Sequence, residues 1–216
     1  MKVSVIPCGP IQANCYILTD ESTHNCIVID PGDAPTVMDY LEKNGFTAKL
    51  ILLTHGHFDH CMGVSELVSK TNCKVSIHEL DEELVNGSSH YISAMQYGLP
   101  PFQPSSFLAD NGSIVMDSIK LKVIHTPGHS KGSVCFIDVK DGIIFSGDTL
   151  FCESIGRTDL HGGSMNDLAN SVLNTLFMLP ESYVVFPGHG EKTTIAHEKI
   201  NNPLIRYAEY FKKQLS

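Results

Sequence analysis

Four short apolar runs in this chain each lead into residues that bind metal ions well. That repeated juxtaposition restricts the possible fold more than any other feature. Leu50-Ile51-Leu52-Leu53 leads into Thr54-His55-Gly56-His57-Phe58-Asp59-His60, and the runs 119–124, 142–146 and 183–186 lead to His129, Asp148 and His189. Strand ends of this kind can converge on one edge of a sheet, where loops carry functional side chains over a rigid base. The three later residues are flanked by Gly or Pro, in Pro127-Gly128-His129, Gly147-Asp148 and Pro187-Gly188-His189-Gly190. Such residues let the chain turn sharply and approach an ion without crowding.

The remaining pattern places these runs in a mixed architecture. Strands are expected at 2–6, 14–19, 25–30, 50–53, 74–77, 113–116, 119–124, 133–138, 142–146 and 183–186. Helices are expected at 34–45, 61–70, 79–86, 88–97, 164–178, from about Thr193, and at 203–214. In the 164–178 stretch Leu168, Val172, Leu173 and Leu176 share one apolar face. Residues 87–112, rich in small residues and prolines, are the least regular part and read as a short helix followed by a loop or lid. Strands interspersed with helices argue for mixed sheets covered by helices in one domain over 1–216. The pattern alone does not separate a two-sheet sandwich from a doubly wound sheet.

The segment His55-x-His57-x-Asp59-His60 concentrates three of the eleven histidines within six residues. In a short loop His55 and His57 can turn toward one ion, while Asp59 and His60 lie further round the bend and face a second. Imidazole and carboxylate suit zinc, manganese or iron, with no thiolate required. A histidine satisfied by ordinary hydrogen bonds would explain one such residue, but not the whole cluster. Two divalent ions are therefore expected, zinc first, held by His55, His57, Asp59, His60, His129, Asp148 and His189.

These motifs resemble the metallo-β-lactamase superfamily, and within it the glyoxalase II-like branch of thioester hydrolases. The HxHxDH motif matches at His55 to His60, and the later His, Asp and His signatures match His129, Asp148 and His189 in order. Gly147-Asp148-Thr149-Leu150-Phe151 with Gly156-Arg157-Thr158-Asp159 is also similar to that branch, and the resemblance runs from about residue 12 to 204. It implies an α+β fold, an αββα sandwich of two mixed β-sheets flanked by helices. It also implies one ion on His55, His57 and His129, a second on Asp59, His60 and His189, and Asp148 between them. Paired ions can acidify a shared water and polarise a carbonyl, and a thiolate leaving group needs little protonation. Asp59 and Asp148 are the expected catalytic carboxylates, and S-lactoylglutathione or another hydroxyacylglutathione is the substrate that the branch suggests.

The chain departs from that branch after His189, where 27 residues offer one or two helices rather than a separate glutathione-gripping region. Lys131, two positions past His129, is the basic residue expected to face substrate, with a solvated turn residue as the plain alternative. Tyr91 and Tyr97 are expected to cover the pocket or to pack in the core. Arg157 reads as a brace that pairs with Asp159 beside the Asp148 loop, and Cys61 and Cys152 as packed small groups.

Charge and cysteine content narrow the setting. With 24 acidic against 15 basic residues the net charge is -9, which argues against nucleic acid and anionic membrane as partners. Seven cysteines without a CxxC pair, no signal-like apolar leader and no apolar span near 20 residues point to a reducing, cytoplasmic setting with a small-molecule substrate. Oligomeric state is left open. Two further readings compete with the binuclear hydrolase. One is a mononuclear iron persulfide dioxygenase using His55, His129 and Asp148. The other is a non-enzymatic metal-binding or interaction protein with the same fold, which the complete ligand set disfavours.

Overall fold

The computed structural model describes residues 1–87, 98 and 100–206. Two six-stranded sheets dominate it. The first is ordered β1 (Lys2–Cys8), β2 (Ala13–Thr19), β3 (Asn25–Ile29), β4 (Thr47–Leu52), β5 (Lys74–His78) and β6 (Ser106–Leu108). The second runs β14 (Thr193–Thr194), β13 (Val184–Pro187), β10 (Ile143–Gly147), β9 (Val134–Asp138), β8 (Ile119–His125) and β7 (Ser113–Met116). A small hairpin, β11 (Leu150–Phe151) with β12 (Ser154–Ile155), stands apart from both.

The period of two in the strands assigns the layers. Tyr16, Leu18, Ile27, Ile29 and Leu52 face Leu121, Val123, Phe136 and Phe145 in a core between the sheets. The alternate residues Cys15, Ile17, Val28 and Ile51 point the other way, onto Val37, Leu41, Val64 and Leu67. Those belong to the helices Ala34–Asn44 and Val64–Thr71. On the far side Ile137, Ile144 and Val185 pack against Val172, Leu176 and Ile195. The result is the expected helix–sheet–sheet–helix sandwich, and it settles the choice that the pattern left open. Both faces of the central strands are buried, so their apolar runs are nearly continuous rather than alternating. Each fully buried Leu, Ile or Phe there contributes roughly 1.5–3 kcal/mol.

Strand direction positions the site. In the first sheet β3, β4 and β5 are mutually parallel. In the second, β8 and β10 are each antiparallel to β9, and β13 is parallel to β10, so β8, β10 and β13 run the same way. Six strands therefore release their loops in parallel groups of three, one group per sheet. Asp30, the 54–60 loop and Asp81 follow the first trio, and His129, Asp148 and His189 follow the second.

Several local expectations change. The helix expected from Thr193 begins only at Ile195, because Thr193–Thr194 first pairs with Val184–Val185 as a strand. The 164–178 stretch is capped by the Ser164 side chain and helical to Asn170. It then widens through a π turn at Ser171–Thr175 and tightens into a 3₁₀ turn at Leu176–Met178. The 79–86 helix is a 3₁₀ turn, Glu79–Asp81, followed by the single helical turn Glu82–Val85. β6 and the β11–β12 hairpin carry too few residues to show a period. The expected helix at 88–97, with Tyr91 and Tyr97, and most of the 203–214 helix lie outside the described residues.

Candidate metal centre

The HxHxDH loop leaves β4 and re-enters helix at once. Phe58–Cys61 forms one helical turn with His57 in an extended conformation ahead of it, and the His60 ring lies 4.3 Å from that of His55, centroid to centroid. His55, His57, Asp59 and His60 are all buried. Across the sheets, Val134 N donates to Thr54 O at 2.8 Å, tying the start of this loop to β9. Asn14 and Tyr16 of β2 hold the last loop: Asn14 Nδ2 donates to Pro187 O and Gly190 O, and the Tyr16 hydroxyl to Pro187 O. Gly188 is required by contact. A Cβ there would fall on the Asp148 carboxylate and lie 2.8 Å from His60 Cε1.

The seven side chains singled out in the sequence converge as two clusters. His55, His57 and His129 form one, with donor atoms within 4.8 Å of each other, and Asp59, His60 and His189 form the other. His57 Nδ1 lies 2.8 Å from His129 Nε2, and His189 Nε2 lies 3.1 Å from Asp59 Oδ2. Asp148 stands between the clusters. Its Oδ2 is 3.4 Å from His129 Nε2 and 3.8 Å from His189 Nε2, while Oδ1 is 3.4 Å from His60 Nε2.

Tautomers decide whether these donors suit metal ions. His129 Nδ1 must donate to the Arg157 carbonyl at 2.8 Å, which leaves Nε2 with its lone pair facing the site. His60 Nδ1 donates to Asp30 Oδ2 at 3.0 Å. The Thr54 hydroxyl donates to Asp30 Oδ2 at 2.6 Å and so accepts from His55 Nδ1 at 3.0 Å. His55 Nε2, His60 Nε2 and Asp148 Oδ1 are buried and make no hydrogen bond. Buried polar atoms without partners are costly unless something else satisfies them. Histidines backed at one nitrogen by a carboxylate, hydroxyl or carbonyl are the usual arrangement around a bound ion. The residues fit two divalent cations.

The charges agree. Burial, with repulsion from His60 and His129, holds His55 far below the usual imidazole range, and burial beside His129 pushes His57 down to about 3. Both rings are therefore neutral ligands at neutral pH. Burial opposes ionisation of Asp59 and Asp148, yet the facing imidazoles, His60 first, keep both carboxyls below their ordinary range. Burial also opposes a proton on His60, but Asp59, Asp148 and Asp30 outweigh it and raise its pKa. The site holds its carboxylates ionised and draws in positive charge.

Asp30 does not stand out in the sequence, where it reads only as the last residue of a strand before the turn Pro31-Gly32-Asp33. Its left-handed backbone, φ 52°, and its burial after β3 mark it as a built feature. One carboxylate orients Thr54 through both its backbone and its hydroxyl, and His60 through its ring.

A cavity of about 540 Å³ opens above the clusters. His57, Asp59, His129, Asp148 and His189 form its floor, and Ile11, Phe58, Phe151, Ile155, Leu160 and Arg157 line its sides. Lys131 is not part of that lining. It lies 3.8 Å from Glu83 on a half-exposed surface, because the turn after His129 carries it away from the cavity and toward the Glu79–Val85 segment. Arg157 does line the cavity, and its guanidinium grips Asp159 through two 2.7 Å bonds. Cys61 is fully buried and Cys152 partly so, and all seven thiols are unbridged. Cys152, His197 and Glu198 also approach one another. Glu198 is saturated there by Glu153 N, the Thr193 hydroxyl and Asn202 Nδ2, and so serves to tie the β11–β12 hairpin to the helix Ile195–Asn201. No described helix is long and apolar enough to cross a membrane.

Residues 8–189 match the metallo-beta-lactamase superfamily, and the chain belongs to it. Curated relatives include the probable metallo-hydrolase YqgX of Bacillus subtilis, 37% identical over 95% of this chain and 98% of that protein. The hydroxyacylglutathione hydrolase GloC of Haemophilus influenzae is 32% identical over 95% and 98%. Among solved structures, the BLEG-1 B3 metallo-beta-lactamase superposes with a TM-score of 0.84 at 37% identity, covering 94% of this chain and 98% of that one. TTHA1623 in a di-iron-bound form gives 0.83 at 36%, covering 93% and 99%. ETHE1 from Myxococcus xanthus gives 0.77 at 26%, covering 94% and 84%.

Proposed function

We propose that this protein is a binuclear metal-dependent hydrolase of small acyl thioesters, with a hydroxyacylglutathione such as S-lactoylglutathione as its first candidate substrate. The observation that carries the reading is the pair of three-donor clusters joined by Asp148 on the floor of one cavity. His55, His57 and His129 would hold one ion, Asp59, His60 and His189 the other, and Asp148 both. Two divalent ions bound there supply Lewis acidity toward a carbonyl and an acidified water. Zinc is the default for this donor set, with iron and manganese compatible. The di-iron-bound form of TTHA1623 keeps iron in view.

The chain's own residues do the rest. Asp59 and Asp148, held ionised, balance the cationic charge and fix where it sits. The Arg157 carbonyl, Thr54 and Asp30 lock the imidazole tautomers, so the donor lone pairs are aimed before substrate arrives. Ile11, Phe58, Phe151, Ile155 and Leu160 give the cavity an apolar wall that suits an acyl group with an uncharged body. A thiolate leaves without protonation.

The choice of a glutathione thioester follows GloC and the sequence resemblance, and it is the part most easily lost. The test is anaerobic thiol release from a panel of acyl thioesters by the zinc-loaded protein, with metal content measured on the same sample. Turnover with about two ions per chain is expected. No thioester turnover, together with oxygen consumption by an iron-loaded form given a persulfide, would replace the hydrolase with the mononuclear dioxygenase reading.

A further inference from the structure

β5 ends at His78 and runs straight into the 3₁₀ turn Glu79–Asp81 and the helical turn Glu82–Val85. The segment carries four acidic residues, Glu79, Asp81, Glu82 and Glu83. Asp81 alone among them is buried, with 1% of its surface exposed. Burying a carboxylate is costly unless its oxygens are hydrogen-bonded. Here they are filled from two loops that belong to different sheets. Oδ2 accepts from Gly56 N at 2.9 Å and from the Ser130 hydroxyl at 2.6 Å, and Oδ1 accepts from Gly132 N at 2.6 Å.

Those partners have a common meaning. Gly56 lies between His55 and His57, and Ser130 follows His129. One carboxylate thus grips both loops of the three-histidine cluster while lining neither that cluster nor the cavity. The two glycines make the approach possible. A Cβ on Gly132 would lie 2.7 Å from Asp81 Oδ1, and one on Gly56 would lie 2.8 Å from Leu84 Cβ and 3.1 Å from Asp81 O. The second cluster is held by other means: Asp30 orients His60, and Asn14 and Tyr16 anchor the loop of His189. Asp30 also reaches His55 through the Thr54 hydroxyl, so of the two buried carboxylates it serves both halves, while the bonds of Asp81 go only to the loops of the three-histidine cluster.

We propose that Asp81 is a positioning residue for one ion only, setting the separation of the His55–His57 loop from the His129 loop and hence the geometry of the three-histidine site. The inference rests on the two-ion reading. Three hydrogen bonds from backbone and hydroxyl donors define the carboxylate's position in all directions. Asn at position 81 keeps the shape but turns an N–H₂ group toward one donor. The mismatch must open one loop relative to the other, and the imidazoles move with their loops.

Stepwise metal binding tests this, read by competition with a chromophoric chelator and by the absorption of the cobalt-substituted protein. His57→Ala and Asp59→Asn supply the spectra of protein perturbed at the first and second sites. Asp81→Asn is expected to weaken one ion by about 10- to 100-fold, to change the cobalt bands that His57→Ala removes, and to leave the other ion within twofold. Ser130→Ala, which deletes one of the three donors, should give the same selective change at smaller size, and it decides the matter if Asp81→Asn does not fold. Glu83→Gln, on the exposed side of the same turn, should alter neither ion. Wild-type protein that takes up only one ion would refute the two-ion reading. Two ions in wild type, with both or neither weakened in Asp81→Asn and Ser130→Ala, would refute the role of Asp81 alone.

Discussion

The floor and the sides of the cavity are built by opposite rules. In and beneath the floor His55, His60 and His129 are no more than 3% exposed, and a hydrogen bond at Nδ1 fixes each ring. Toward the rim the side chains of Arg157 and Asp159 are 63% and 68% exposed and pair with each other. The floor residues sit where parallel strands end, so the sandwich itself decides their spacing. The rim residues sit on surface turns, where substitution leaves the sheets untouched. Reaction class and substrate choice are thus held in separable parts of the molecule.

Metal removal should break the comparison most completely. A strong chelator is expected to abolish hydrolysis by more than about 10³-fold, with far-UV circular dichroism largely unchanged and activity restored by added zinc. Persistent turnover in metal-free protein, checked by elemental analysis, would mean that the floor is not the reactive part. Asp59→Asn comes next. It keeps the shape but removes anionic charge from the second cluster, and a loss on the order of 10²–10⁴ in kcat is expected, with one ion retained. Normal rate at normal metal content would remove Asp59 from the centre.

Supports of the floor should matter less than the floor but far more than the rim. Asp30→Asn is expected to weaken metal binding by about 10- to 100-fold, since it disturbs both the His60 and the Thr54–His55 bonds. Gly188→Ala should do similar harm by steric pressure on Asp148 and His60, measurable as metal loss from protein that still folds. The rim is expected to respond mildly. Arg157→Ala leaves the backbone carbonyl that orients His129, so metal content should hold while KM for an anionic thioester rises a few-fold. The smallest effect belongs to Lys131→Ala, with KM within twofold, because an exposed pair such as Lys131–Glu83 is worth about 0–1 kcal/mol. A large KM effect at Lys131 with little at Arg157 would redraw the substrate's path into the cavity.

Much of the centre is legible in the amino-acid sequence. Residues 54–60 announce themselves because three histidines and an aspartate within six positions stay within about 18 Å of one another even in extended chain, and a turn brings them closer. His129, Asp148 and His189 are legible because each follows an apolar strand and is flanked by Gly or Pro. The two-sheet order is not, since continuous apolar strands look the same in a sandwich and in a doubly wound sheet. β14 and the small hairpin are too short to show a period. Asp30 and Asp81 stay hidden, because aspartate beside a turn has an ordinary local explanation as a turn or cap residue. Lys131 is two positions from His129 along the chain, yet the turn between them sends it toward Glu83 rather than into the cavity lining.

The sequence by itself determined which atoms can bind metal and which strands deliver them, because those are local properties of residue type, spacing and apolar pattern. Tertiary structure alone decided that Asp30 and Asp81 brace loops far from them along the chain. It also decided that Arg157 rather than Lys131 borders the cavity. The physical reason is directional. Neighbours in sequence are bound to be close, but where a side chain points after a turn depends on backbone dihedrals and on what the opposite sheet packs against it. A buried carboxylate acquires its function only from the donors that packing brings to it.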